Sequence, residues 1–184
     1  MLSQHTSDRN AERAFKDLRA AFPAGWEQIE RAPAGSVADA IRHGGLANSK
    51  APRIQAILGE VRAREGGYDL ERLRSLPDPQ ARAYLVSLPG VGPKTAAVVL
   101  SFSLGRDALP VDTHVHRVAT RLGLIPKTSA ERADRLLHEL VPPGLRTPLH
   151  VGLIRLGRQI CLARSPRCRQ CPLRDLCPAA PRYL

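Results

Sequence analysis

Two groups of residues have types and spacings that could do chemistry. The first is Leu88-Pro89-Gly90-Val91-Gly92-Pro93-Lys94-Thr95, with Val111-Asp112-Thr113-His114 a short distance beyond it. Two glycines in a tight turn can face bare N–H groups outward and let another backbone come close. Pro93 suits the first position of the following helix, because its missing N–H would have no partner there. Exposed amides at the positive end of a helix attract an anion, and a phosphate is the obvious guest. Lys94 sits just inside that end, where the macrodipole disfavours its protonated form, and an amine without its extra proton is a nucleophile. Asp112 before Thr113 has the form of a helix N-cap, a role compatible with a catalytic one.

The second group is Cys161-x6-Cys168-x2-Cys171-x5-Cys177, followed at once by Pro178. Four thiols this close, in a proline-rich segment without room for a core, need a metal centre to hold them. Zinc is the structural rival, but zinc knuckles usually pair two Cys-x-x-Cys units and this segment has one. A [4Fe–4S] cluster is the better match. All four cysteines lie here, which argues against a disulfide framework.

The elements that must position these groups are helical. Apolar residues recur at helical spacing in Ala11–Phe22, in Ile54–Val61, in Ala96–Ser103, in Val115–Leu122, in Leu136–Val141 and in Leu149–Ile160. Ser36-Val37-Ala38-Asp39 has the capping-box pattern, Asn48 or Ser49 can cap the helix that follows Leu46, and Ser129 can cap a later one. No run alternates with period two between hairpin turns, so the predicted class is all-α, with many short helices. The segment Gly105–Pro110 is the expected seam between a domain of residues 1–106, holding the hairpin at about 79–104, and a domain of residues 107–184.

With 184 residues the chain can bury one good core or two small ones, and with 4% aromatic residues that core must be aliphatic. The formal net charge of +11 points to a polyanion, and almost all of the positive charge is arginine, which forks onto phosphates. A compositional bias toward arginine would scatter such charges as well. No apolar run approaches the length of a membrane span and no charged-then-apolar leader opens the sequence, so nothing suggests secretion, and the expected location is the cytoplasm, on the nucleoid if the protein is bacterial. It is expected to be a monomer.

Hairpin, lysine, aspartate and cysteine spacing, in this order, resemble the endonuclease III family of helix-hairpin-helix base-excision DNA glycosylases, from about Leu2 to Cys177. The resemblance implies a six-helix barrel containing the hairpin and a second helical domain carrying a [4Fe–4S] cluster. Relatives usually have a further helix or two before the stretch that begins at Leu2, so the barrel is expected to be N-terminally shortened. Lys94 matches the lysine of bifunctional members and Asp112 the catalytic aspartate. Adenine-specific relatives lack that lysine. Gln4 is similar to the glutamine that fills the hole left by a flipped base, and Leu46 to the wedging leucine opposite it. Unstacking a base costs a few kcal/mol, so a polar plug and an apolar wedge make physical sense. Gly90 and Gly92 would hold backbone phosphates, as could Ser49, Lys50, Arg164 and Arg167. His114 is a second hydrogen-bonding candidate at the DNA. The implied activity is excision of oxidised pyrimidines from duplex DNA with strand cleavage at the abasic site. The alternative is an iron–sulfur protein that binds lesions or abasic sites without cutting, a degenerate, truncated paralogue.

Overall fold

The computed structural model describes all 184 residues of the sequence. It is all-α, nine helices joined by turns and short 3₁₀ segments without a β-strand. Two compact units divide it, Met1–Val91 and Gly92–Leu184.

The first unit contains α1 (Asp8–Ala21), α2 (Trp26–Arg31), α3 (Ala34–Ala40), α4 (Ala47–Glu65) and α5 (Asp78–Val86). Ser7 caps α1 by accepting from the Asn10 N–H at 3.2 Å. The expected stripe of α1 buries Ala14 and Leu18 and continues to Phe22; these pack with Ile29, Val37, Ile41, Ala51 and Ile54. Glu30 on α2 ties that core to α4, accepting from Arg62 at 2.8 and 2.9 Å and from the Tyr68 hydroxyl at 2.6 Å. First the Arg62 guanidinium and then that hydroxyl pull the Glu30 carboxyl down to about 2.

Two expected caps in this unit are corrected. α3 starts ahead of Ser36, at Ala34 with Pro33 as N-cap, because proline arrives with its φ already set. α4 starts ahead of Asn48 and Ser49, with Leu46 as N-cap in a left-handed conformation (φ 52°). The N–H groups of Ser49 and Lys50 both donate to the Leu46 carbonyl, at 3.1 and 2.9 Å, so the chain is already helical where the sequence pattern places the cap.

The second unit contains α6 (Pro93–Val98), a wider π turn (Val99–Ser103), α7 (Thr113–Arg121), α8 (Ala130–Leu140), α9 (Arg146–Gln159) and the cysteine segment. The Ser129 cap is as expected, its hydroxyl accepting from the Arg132 N–H. The helix expected to run to Gly105 keeps its length but changes pitch, with Leu104 N–H donating to Val99 O at 3.0 Å. Leu140 points outward, while Leu137 and Val141, one turn apart, share the inward face.

The division between units falls inside the hairpin, ahead of the Gly105–Pro110 seam suggested by sequence. Side chains explain why. Ser101 hydrogen-bonds Thr147 across to α9 at 3.1 Å, and Asp107 caps α9 from a distance, accepting from Gly144 N at 2.6 Å and Thr147 N at 3.1 Å. The helix after the turn and the segment beyond it are thereby fastened to α9.

α7 and α9 pack tightly at Gly157, where an added Cβ would lie 3.0 Å from His114 Cβ, 3.2 Å from its Nδ1 and 3.2 Å from Val118 Cγ2. Those neighbours are rooted in a helix and cannot step aside. Gly157→Ala should therefore destabilise the protein by about 1–3 kcal/mol despite a helix-propensity gain of about 1 kcal/mol. A denaturant midpoint equal to or above that of the parent chain would show that the helices can part.

Candidate active site and metal centre

The turn before α6 is built as the glycines suggest. Val91 N–H donates to Leu88 O at 3.1 Å, and Gly90 has φ 71°, a left-handed conformation that a side chain would resist. Gly92 is the extended N-cap of α6 and Pro93 its first residue. Lys94 follows in the first turn, exposed. Asp112 caps α7: its Oδ1 accepts the Val115 N–H at 2.8 Å, and the carboxylate remains partly open to solvent.

A residue not singled out in the sequence lies between these features. His150 on α9 is 4% exposed, and its Nδ1 donates to Pro110 O at 2.7 Å, two residues before Asp112. A carbonyl only accepts, so the ring proton sits on Nδ1. Burial pushes the His150 pKa down. The Pro110 carbonyl and the Asp112 carboxylate oppose that shift, and the Lys94 ammonium adds to it. His150 thus feels both Lys94 and Asp112 and holds the segment that leads into Asp112. Its only sequence signal is a polar residue one turn ahead of Leu153 on an apolar face.

His114 is occupied inside the fold. Its Nδ1 accepts from Arg117 at 3.2 Å, and its side chain covers Gly157. Arg117 also donates to Gly157 O at 2.9 Å and to Cys161 O at 3.1 Å. One turn further, Arg121 donates to Cys161 Sγ at 3.4 Å, Leu162 O at 2.6 Å and Ala163 O at 3.0 Å, with the Tyr183 ring 4.8 Å beneath it. These two arginines, unmarked in the sequence, pin the start of the cysteine segment to α7.

Cys161, Cys168, Cys171 and Cys177 line one open pocket. Burial, and after it the sulfurs of Cys161, Cys177 and Cys171, push the Cys168 thiol up, so its thiolate needs a cation. A lone zinc needs all its thiolates about 2.3 Å from one point, whereas a cluster takes one at each iron. The donor set, four thiols lining one pocket, fits a [4Fe–4S] cluster.

Of the other expected contacts, Gln4 lies partly buried in a turn before α1 and Leu46 is 61% exposed at the N-cap of α4. Ser49 is exposed, its hydroxyl donating to Leu46 O at 3.0 Å. Arg164 and Arg167 are exposed in the cysteine segment. Lys50 is a correction: it is 3% exposed, and its ammonium is bound to three backbone carbonyls, which leaves it unable to reach a phosphate.

Fold and site together define a helix-hairpin-helix protein of base excision DNA repair, and the model of that superfamily matches residues 1–143. Within it the chain belongs to the endonuclease III family, whose iron–sulfur binding domain matches residues 161–177. The chain is 34% identical over 177 residues to endonuclease III of Thermotoga maritima, covering 96% of this chain and 78% of that one. It is 40% identical over 163 residues to a candidate DNA glycosylase of Arabidopsis thaliana, covering 88% of this chain but only 55% of that protein. A solved non-covalent endonuclease III–DNA complex superposes with a TM-score of 0.83 at 32% identity, over 98% of this chain and 80% of that one.

The His150 geometry has a pH consequence. The unfolded ring titrates near 6.5 and the folded ring lower, so on acidification the unfolded chain takes up a proton that the native one refuses. Stability is lost as pH falls through and below 6.5. His150→Gln should be less stable than the parent at pH 7.5, and the gap should narrow at pH 5.5. Parallel denaturant curves at both pH values check this, and a gap that widens in acid contradicts it.

Proposed function

We propose that the protein is a bifunctional DNA glycosylase and abasic-site lyase that removes oxidised pyrimidines from duplex DNA in base excision repair. The observation that carries this reading is Lys94, exposed in the first turn of the hairpin's second helix and in the same compact unit as Asp112. A solved neighbour supports it: a trapped endonuclease III–DNA covalent intermediate, 32% identical to this chain with a TM-score of 0.84.

The chemistry follows from the two side chains. The damaged nucleotide leaves the stack, because no side chain reaches its sugar inside a duplex. The lone pair of the Lys94 amine forms a bond to C1′, and the bond from C1′ to the base breaks. The base departs with that electron pair and picks up a proton. Asp112, negative, stabilises positive charge building at the sugar and receives the proton that the lysine nitrogen sheds. Ring opening gives an imine, which acidifies C2′. Loss of a C2′ proton expels the 3′ phosphate, so the strand breaks on the 3′ side of the lesion. Water then releases Lys94. Asp112 keeps Oδ1 on the cap, which holds the carboxylate still while leaving Oδ2 for this work.

Gly90, Gly92, Arg164 and Arg167 are the proposed phosphate contacts, Gln4 the plug and Leu46 the wedge. The [4Fe–4S] cluster, when bound, supplies the cross-link that the cysteine segment lacks.

Borohydride should reduce the imine and leave a permanent crosslink between protein and an abasic or oxidised-pyrimidine duplex. Lys94→Ala should abolish that crosslink and leave duplex affinity within about threefold, since one lysine is a small part of a basic surface. Soluble, cluster-bearing protein that binds such duplexes without crosslinking or nicking would establish the non-cutting alternative instead. A second variant separates the two duties of Asp112. Asparagine caps a helix as well as aspartate does, so Asp112→Asn should keep stability within about 0.5 kcal/mol. With the negative charge gone, base release should slow by about 10²-fold or more. Single-turnover rates beside melting curves read both effects, and an unslowed Asp112→Asn would remove the carboxylate from the mechanism.

A further inference from the structure

The plug and the wedge sit on separate pieces of chain, Gln4 in the turn before α1 and Leu46 at the head of α4. Both pieces meet at Lys50. Its ammonium donates to Gly44 O at 2.8 Å, Leu2 O at 3.0 Å and Gln4 O at 2.6 Å, one carbonyl for each of its three protons. Its backbone N–H donates to Leu46 O at 2.9 Å. A single residue therefore holds the backbone of Gln4 through its side chain and that of Leu46 through its main chain.

The surroundings are arranged for that purpose. Leu46 is left-handed and receives no side-chain cap, a conformation costly for any residue but glycine and kept where neighbouring structure enforces it. A Cβ on Gly44 would meet Ala14 Cβ at 3.2 Å and Leu2 O at 3.9 Å, so the loop ahead of Leu46 lies flush against α1 and the N-terminal turn. Burial disfavours the Lys50 ammonium and lowers its pKa, and the three carbonyls are what keep it in place. An apolar side chain would strand those carbonyls, and the flat guanidinium of arginine is the wrong shape for three converging acceptors.

We propose that Lys50 is a positioning residue that locks the Gln4 turn and the Leu46 turn into one rigid piece, so that plug and wedge enter the duplex together. This rests on the roles given to Gln4 and Leu46 above. Lys50 itself touches no DNA.

The test uses the full chain with its cluster and a duplex containing a tetrahydrofuran abasic analogue opposite 2-aminopurine, whose fluorescence rises when the base is unstacked. The parent protein should give that rise. Lys50→Met should give a rise at least ~5-fold smaller at saturation, with affinity changed less than ~3-fold, because the phosphate contacts lie elsewhere. Adding Lys50→Met to Leu46→Ala should lower the signal no more than ~2-fold below Leu46→Ala alone, since residues acting as one unit are not additive. A full rise in Lys50→Met, or strictly additive losses, overturns the lock and leaves the proposed function standing. No rise with the parent protein removes the plug-and-wedge reading and the lock together. Where Lys50→Met does not accumulate folded, reductive methylation of the parent decides. Among Lys16, Lys50, Lys94 and Lys127, Lys50 should be modified at least ~10-fold less than Lys16, free and DNA-bound, as opening the knot requires local unfolding. Equal modification overturns the proposal.

Discussion

The structure depends on one helix end, the bond from the Val115 N–H to the Asp112 carboxylate. That cap starts α7 where the candidate catalytic carboxylate sits, and α7 then carries His114, Arg117 and Arg121 at positions i, i+3 and i+7 along one face. His114 and Arg117 bind the helix to Gly157 of α9, and Arg117 and Arg121 bind it to Cys161, Leu162 and Ala163. The Cys177 sulfur in turn lies 3.3 Å from the Arg121 carbonyl, at the end of the same segment. The candidate catalytic carboxylate at one end of α7 and the cysteine segment at the other therefore share a single rod. Removing the cap would cost about 1 kcal/mol as a helix end. It would also free the start of the element that aims everything after it.

The arginines on that rod show how a strongly basic chain uses its charge. Most reach solvent, where each gains little from an isolated ion pair. Arg117 and Arg121 instead satisfy main-chain carbonyls of Gly157, Cys161, Leu162 and Ala163, since a guanidinium has five donors and no acceptor. Carbonyls without a helix or sheet partner are what a coreless cysteine segment leaves over when its chain turns around a metal. The side chains that could steer DNA elsewhere here stitch the loop to its support.

The helices were legible because their apolar stripes repeat with a helical period, and Asp112 and Ser129 were legible as caps because a short acceptor precedes a helix. Reading failed where a remote contact outranked a local rule. α4 begins at Leu46 because its carbonyl collects three donors. α9 has no local cap at all and borrows Asp107 from the far side of a turn. The cysteines announced a metal centre, but the arginines supporting it carry no spacing signature, and His150 looked like one polar break in an apolar stripe.

Lys50 and Lys94 make the same point in one residue type. Each follows a glycine-containing turn and lies in the opening turns of a helix, so local pattern and macrodipole treat them alike. Lys94 stays exposed. Lys50 is drawn inside because three carbonyls converge on it, two of them from residues 48 and 46 positions away in the chain. A lysine offered one acceptor has reason to remain in water; offered three, it can leave water and remain an ammonium. Whether such a lysine contacts DNA, attacks it or holds the parts that enter it is thus decided by how many acceptors the fold brings to its nitrogen, a quantity set by long-range packing and invisible in the residues on either side.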